Sequence, residues 1–313
     1  MGRPLGINLV MNAVAETSYG LTPATNFFKL PLVSHSMGEE QGLIEDDQLG
    51  FGREGLDPVY DVVTNDGDIV IPVDLRAIGF WLRQTFGPPT TTGPVNGKYT
   101  HVFTSGAASL PSTSIEMGNP DEPSWSTNYG AVVNSLKISL SRSGMLNATL
   151  SLIAQGETDP VAASIAGVTT QLRGPRFAQA VGNITVEGAT AADIVSADLS
   201  FSNNLDKVEV IRSDGRIAGV DPGKAMTSGS LTARGPRGTL FTKARAKLPA
   251  SVSFGWTQDG GSLVFSLPRV FLPKPKRPVA GPKGIQATFN YQASGASGAQ
   301  LTTTLVNDVA SYA

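Results

Sequence analysis

The stretch Gly67-Asp68-Ile69-Val70-Ile71-Pro72-Val73-Asp74-Leu75-Arg76-Ala77-Ile78-Gly79-Phe80-Trp81-Leu82 changes character midway, and that change decides the fold. Within 68–73, Ile69, Val70, Ile71 and Val73 are β-branched and apolar, as a strand requires. From Leu75 onward, Leu75, Ile78, Leu82 and Phe86 recur at i, i+3, i+7 and i+11, which places them on one face of a helix. Asp74 stands where an N-cap belongs, its carboxylate free to accept from the first unpaired amides, and Gly87-Pro88-Pro89 stops the helix. Upstream, residues 60–64 form a second strand, joined to 68–73 through Asn65-Asp66-Gly67, whose Asp-Gly pair tolerates positive φ. A hairpin followed by a helix is predicted over 60–86.

Working outward, residues 101–103 and 114–117 are short strands, and 133–141 and 146–154 form an alternating pair turned at Ser143-Gly144. These strands complete a sheet against whose outside the helix is expected to pack. Residues 156–182 are rich in Ala, Thr and Gly and weakly periodic, which marks a domain boundary. Beyond it the same order returns: strands up to 201, at 208–211 and at 226–233, then a short helix turning Leu240, Phe241 and Ala244 inward. Strands at 251–257 and 263–267, turned at Gly260-Gly261, lead to a closing pair, 285–291 and 301–305, that mirrors 133–154. Two tandem mainly-β domains, 1–160 and 161–313, related by duplication, are expected. In the first ~60 residues, the acidic, Gly-bearing stretch 34–56 has neither period and is expected to be a long loop or extended arm.

Composition narrows the function. The 35 Gly and 21 Pro suit many turns between short strands, and 40% hydrophobic content suffices for a core. A formal net charge of -2 provides no global basic field to hold nucleic acid. The chain has no Cys, so disulfides, a thiolate nucleophile and thiolate-bound metal are excluded. No segment approaches the ~20 consecutive apolar residues of a membrane-spanning helix. Asn8 and Asn12 interrupt the apolar N-terminus, so an unprocessed protein made in the cytoplasm, without membrane attachment, is expected.

Motifs that could carry chemistry fail on context. Gly50-Phe51-Gly52-Arg53-Glu54-Gly55 matches a dinucleotide-binding pattern, but acidic residues precede it where a strand should be, and Leu56-Asp57-Pro58 follows where a long helix should begin. His35 and His101 are too far apart in sequence for a His-x-x-x-His metal pair, and each is read as structural. Glu39-Glu40 and Glu45-Asp46-Asp47 lack the spacing of a calcium loop. Lys274-Pro275-Lys276-Arg277-Pro278, followed by Lys283, is the one basic cluster; without interleaved aromatics it reads as a stiff exposed connector. No catalytic residue, cofactor or metal is expected, and many potential strand edges suit a protein that assembles.

The segment 67–87 resembles the strand-plus-helix segment of the tail tube proteins of long non-contractile-tailed, siphovirus-like phages and prophages. So do Ser112–Gly118, Gly130-Ala131-Val132-Val133-Asn134-Ser135-Leu136-Lys137-Ile138, Ser202-Asn203-Asn204-Leu205, and Gly261-Ser262-Leu263-Val264-Phe265-Ser266-Leu267-Pro268-Arg269-Val270. The resemblance spans about residues 64–307. It implies tandem tail-tube-like β-sandwich or partial-barrel domains, each flanked by one helix, with Leu75, Ile78, Leu82 and Phe86 packing on the sheet. It also implies subunits joined sheet to sheet into a ring with a β-barrel wall, and rings stacked into a virion tail tube through which DNA leaves without specific binding. Duplicated members form threefold, pseudo-sixfold rings, whereas single-domain relatives need six chains. A tape measure protein and a tail terminator are the implied partners. The stretch 34–55, with Glu39, Glu40, Glu45, Asp46, Asp47 and Arg53, is the candidate ring-to-ring contact. The competing readings are another phage structural β protein, such as a terminator, decoration or baseplate component, or a carbohydrate-binding β-sandwich. Trp81, Trp125 and Trp256 form no sequence cluster that favours the last.

Overall fold

The computed structural model describes residues 3–121, 124–235, 238–276 and 284–312. The first part carries strands β1 (Val10–Ala15), β2 (Phe28–Leu30), β3 (Ser34–His35), β4 (Gly38–Ile44) and β5 (Val59–Pro72), then helix α1 (Ala77–Phe86). There follow β6 (Thr90–Val95), β7 (Lys98–Thr104), β8 (Thr113–Asn119), β9 (Ser124–Leu140), β10 (Asn147–Ala154), β11 (Gly156–Glu157) and β12 (Thr170–Gln171). The second part carries β13 (Asn183–Val186), β14 (Ala189–Thr190), β15 (Ile194–Ser202), β16 (Asp206–Val208), β17 (Gly219–Asp221) and β18 (Met226–Arg234). Helix α2 (Thr239–Ala246), β19 (Ala250–Gln258), β20 (Gly261–Phe271), β21 (Gln286–Ala293) and β22 (Thr302–Asn307) complete it. The protein is mainly β, as its composition and alternation require.

One long antiparallel ladder runs β4–β5–β10–β9–β15–β18–β21, and the end of β20 adds to it at Val270 and Phe271. Two further ladders branch from it. The N-terminal part of β9 enters β2–β1–β8–β9–β11, and the N-terminal part of β20 enters β14–β13–β19–β20–β22–β7–β6. Strands β19, β20 and β21 bury alternate residues, so Phe254, Trp256, Phe265, Leu267, Phe289 and Tyr291 enter the core while Ser, Thr and Asn face away.

The pairing order occurs twice. β1–β8–β9–β11 corresponds to β13–β19–β20–β22, and β4–β5–β10–β9 corresponds to β15–β18–β21–β20. Strands β5 and β18 end at Pro72 and Arg234, helices α1 and α2 begin at Ala77 and Thr239, and both pairs share one offset along the chain. Gly67 and Gly229 share it too, and both sit where the preceding strand crowds the backbone. A Cβ would meet Ser36 O at 2.6 Å in the first and Asp198 O at 1.9 Å in the second.

Several expectations need correction. Asn65-Asp66-Gly67 makes no turn: β5 runs unbroken through it, and Gly67 (φ 155°) instead admits the kink at Ser36–Met37 between β3 and β4. Much of 34–56 is strand, because β3 and β4 pair with β5. Residues 285–291 and 301–305 do not pair with each other. β21 joins β18, β22 joins β20 and β7, and the counterpart of the β9–β10 hairpin is β20–β21. The strand expected at 208–211 is only the short β16, paired with β17.

Helix α1 lies not on the outside of a sheet but enclosed, against both β9 and β7. Ala77 to Leu82 and Gln84 to Phe86 are all buried, because the helix is apolar around most of its circumference. Asp74 Oδ1 accepts from the amides of Arg76 and Ala77, both at 2.7 Å, which satisfies the first free donors. Burial nonetheless holds the Asp74 carboxyl above its usual range. The C-terminal segment closes over the helix. Tyr312 donates to Arg76 O (2.7 Å) and lies where any side chain on Gly79 would have to go, and Asp308 pairs with Arg76.

Candidate assembly surfaces

The long ladder ends differently on its two sides. At one end, among the described residues, β4 has no strand partner but β5, although its Glu39 amide donates to the Glu157 carboxylate. At the other, β20 pairs with β21 through Val270 and Phe271 and continues as Leu272–Lys276, which among the described residues has no strand on its outer side. Unpaired edges of this kind are templates for another chain.

The two faces of this ladder differ as sharply as its edges. One face is core, built on Ile69, Ile71, Leu150, Leu136, Ile138, Leu199, Leu231 and Phe289. The other carries rows of mostly polar side chains across six strands, interrupted by Val70 and the charged Lys137 and Asp198. One row reads Val70, Thr149, Lys137, Ser200, Ser228 and Gln292; the next reads Ser139, Asp198, Ser230 and Asn290. Asp198 is held by hydroxyls from both neighbouring strands, Ser139 Oγ at 2.8 Å and Ser230 Oγ at 2.9 Å, so its charge is already partnered.

On the N-terminal side of Asn65, where β5 no longer pairs with β10, the β4–β5 hairpin leaves the body as an arm. Leu43, Ile44, Val59, Tyr60 and Val62 are exposed on it, and at its tip Leu49 is 93% and Phe51 65% exposed. Leu56 is exposed there as well; single exposed apolar residues are ordinary, but eight in one protruding element mark a contact surface. The base of the arm is braced by the segment between β15 and β18. Arg216 Nη2 lies 2.7 Å from both Glu39 oxygens, Lys207 pairs with Asp66 at 3.0 Å, and Val63 N donates to Gly215 O. Beside the brace is a groove of about 470 Å³ lined by Val62, Val63, Ile211 and Ile217.

The candidate contact residues separate. Glu39 is engaged: besides Arg216, it exchanges amide-to-carboxylate hydrogen bonds with Glu157. Glu40, Glu45, Asp47 and Arg53 are exposed on the arm, and Asp46 accepts from Gln48 N and Nε2 in its tip. Leu75, Ile78, Leu82 and Phe86 are buried, and the Phe86 ring lies 4.8 Å from that of Phe201. The glycine motif 50–55 is an exposed loop with no helix behind it. His35 is exposed on β3. His101 is buried between Thr91, Asn307 and Val309 O, and burial lowers its pKa. Lys274 and Lys276 are exposed, whereas Arg277, Pro278 and Lys283 lie outside the described residues.

The sequence reading missed Arg216 as the brace. It is 177 residues from Glu39, and no local pattern could join them. The arm's apolar residues were legible in principle, as Leu43, Ile44, Phe51 and Tyr60 are out of place in so acidic a stretch. Among the described residues no three of His, Asp and Glu gather for a metal ion. The nearest carboxylate cluster, Glu39 with Glu157, is occupied by Arg216 and backbone amides, an arrangement suited to holding structure. A family model described as phage tail tube protein matches residues 6–293. No curated protein matches the chain.

Proposed function

Because the chain belongs to the phage tail tube protein family, structural proteins of the virion tail, we propose that it is the repeating ring subunit of a siphovirus-like tail tube. The observation that carries this is the long ladder, with two unlike free edges and one face of hydroxyls and amides. Unlike edges that meet make a head-to-tail contact, and such contacts close into rings when the rotation per chain divides the circle. The ladder then continues from chain to chain as a barrel wall, and the polar face lines the lumen.

That lining suits passage of a polyanion. Its side chains are mostly Ser, Thr, Asn and Gln, with Lys137 and Asp198 of opposite charge and a single apolar Val70 in the rows named, so it offers neither the dense positive charge that would grip phosphates nor a broad apolar surface. DNA would pass without specific binding.

The doubled pairing order supports two tandem tail-tube units within one chain, drawn at 1–160 and 161–313, so that each chain occupies two ring positions. This favours three chains per ring with pseudo-sixfold form over six. The arm carrying Glu40, Glu45, Asp46, Asp47 and Arg53 reaches from one ring to the next, its apolar residues covered in the stack, while Leu75, Ile78, Leu82 and Phe86 hold α1 in the subunit core. The role is structural and not enzymatic. The subunit is made in the host bacterial cytoplasm, and a tape measure protein and a tail terminator are its further partners.

Negative-stain electron microscopy of the concentrated protein, with light scattering on the same sample, tests this. Hollow stacked rings are expected. A persistent monomer with no tubes at any concentration would overturn it.

A further inference from the structure

Along the long ladder β5, β9 and β18 run one way and β10, β15 and β21 the other, so Pro72, Leu140, Ile194 and Arg234 share one rim. The arm leaves from the opposite rim, where β5 begins. On the rim away from the arm, where the two halves join, lies a pocket of about 570 Å³, a size that suits a binding site. Ile184, Ile194 and Val195 line it, together with Trp256, which is 1% exposed and whose Nε1 has no hydrogen-bond partner. A buried indole N–H ordinarily finds an acceptor. Gly182 lies against that nitrogen, where a Cβ would sit 2.9 Å from it, so no side chain covers it from that side. Arg142 and Arg234 are exposed in the lining, and neither forms an ion pair with a described residue. The lining is drawn from both halves, so a chain carries one such pocket, as it carries one arm.

We propose that this pocket receives the arm tip of a second copy of the chain, in the next ring. Leu49 and Phe51 enter its apolar part, and the carboxylates of Glu45, Asp46 and Asp47 lie beside Arg142 and Arg234. The proposal rests on the stacked-ring reading above and names what receives the arm. Rings stacked with one polarity bring opposite rims together, which sets each arm against the rim that holds the pocket. The groove at the arm's base lies on the arm's own rim, so a neighbour's arm does not meet it. Reach is sufficient: the strand from Asn65 out to Val59 alone spans about 20 Å at about 3.3 Å per residue. At the tip, Gly50 and Gly52 take positive φ (97° and 101°) on either side of Phe51, so the chain turns sharply and leaves that ring exposed. Charge is complementary as well. Residues 45–57 hold five carboxylates and one arginine, whereas the pocket is lined by two arginines and the one carboxylate of Asp193.

The absence of cysteine gives a clean background for the test. Full-length D47C on the arm and A192C in the pocket lining are mixed in equal amounts, assembled and treated with a short bismaleimide. Covalent dimers are expected from the mixture and none from either variant alone, and the double variant D47C/A192C should give a ladder running past the size of one ring. Tubes of the mixture that yield no dimer would overturn the docking and leave the tube reading standing; absence of tubes in the unmodified protein would overturn both. A second set of variants needs no cysteine. R142E/R234E should require at least tenfold more protein to form tubes at low salt while single rings persist, and adding D46K/D47K should recover part of the loss. Tubes of R142E/R234E at the ordinary concentration would likewise refute the docking.

Discussion

The two helices occupy the same place in the two halves and have opposite surroundings. Counted from the strands before them, Ile78 and Leu82 of α1 correspond to Leu240 and Ala244 of α2, and all four are buried. Trp81, however, corresponds to Lys243. Trp81 is 1% exposed, whereas Lys243 reaches out to Glu187 at 3.0 Å. Gly79 corresponds to Phe241: the second helix packs its own ring on Phe289, and the first leaves room for the ring of Tyr312. The cause is what closes over each helix. β9, β7 and the C-terminal segment enclose α1, and β7–β22 pairing ties the first half to the second there. The two equivalent positions in the pairing order thus hold unlike helices, α1 buried along nearly its whole length and α2 through Leu240, Phe241 and Ala244 alone.

The largest test of this contrast is Trp81→Ala, which should lower unfolding free energy by about 3–5 kcal/mol in urea denaturation of the unassembled subunit. A loss below about 1 kcal/mol would mean that α1 is not the shared core. Next is the brace between the halves. Arg216→Ala removes a charge-assisted pair and should cost roughly 1.5–3 kcal/mol, with faster hydrogen exchange concentrated in β4 and the facing residues of β5. Uniformly faster exchange would argue against a local brace.

Gly79→Val forces Tyr312 out of place and should cost about 1–3 kcal/mol. Combined with Tyr312→Ala, the two losses should sum to more than the double variant shows, since both disturb one contact. Smaller still is a pH effect at the same junction. Burial depresses the folded-state pKa of His101, so the unfolded chain binds the proton more readily. Stability should be full above the ordinary histidine value of about 6.5 and fall as pH drops below it, by at most about 1.4 kcal/mol per pH unit, levelling off below the folded pKa. His101→Gln should flatten that slope between pH 5 and 7. The smallest effect is at the position equivalent to Trp81: Lys243→Ala removes a surface pair and should change stability by less than about 1 kcal/mol.

The sequence showed the elements whose signal is local. The 3.6-residue period after Asp74, the alternation around Gly260-Gly261 and the turn at Ser143-Gly144 each correspond to an element of the fold. It misled where a residue answers to a distant strand. Asn65-Asp66-Gly67 has the composition of a turn, but its glycine serves close approach to Ser36, which only the paired structure reveals. The closing strands 285–291 and 301–305 were adjacent in sequence and looked like a hairpin, yet β22 finds its partners in β20 and β7. The candidate contact surface was half legible. Its acidic residues were visible as a cluster, but Glu39 proved to be engaged by Arg216, and the strand pairing that turns a presumed loop into an edge depends on β5.

The most direct test of the central claim, that each chain fills two positions of a ring through its two unlike halves, is a cryo-electron microscopy reconstruction of the assembled tube, counting chains per ring. Three chains should be found, with β3–β4 and β15 alternating around a six-position barrel wall. Six identical chains per ring, or a wall in which the two halves do not alternate, would contradict it.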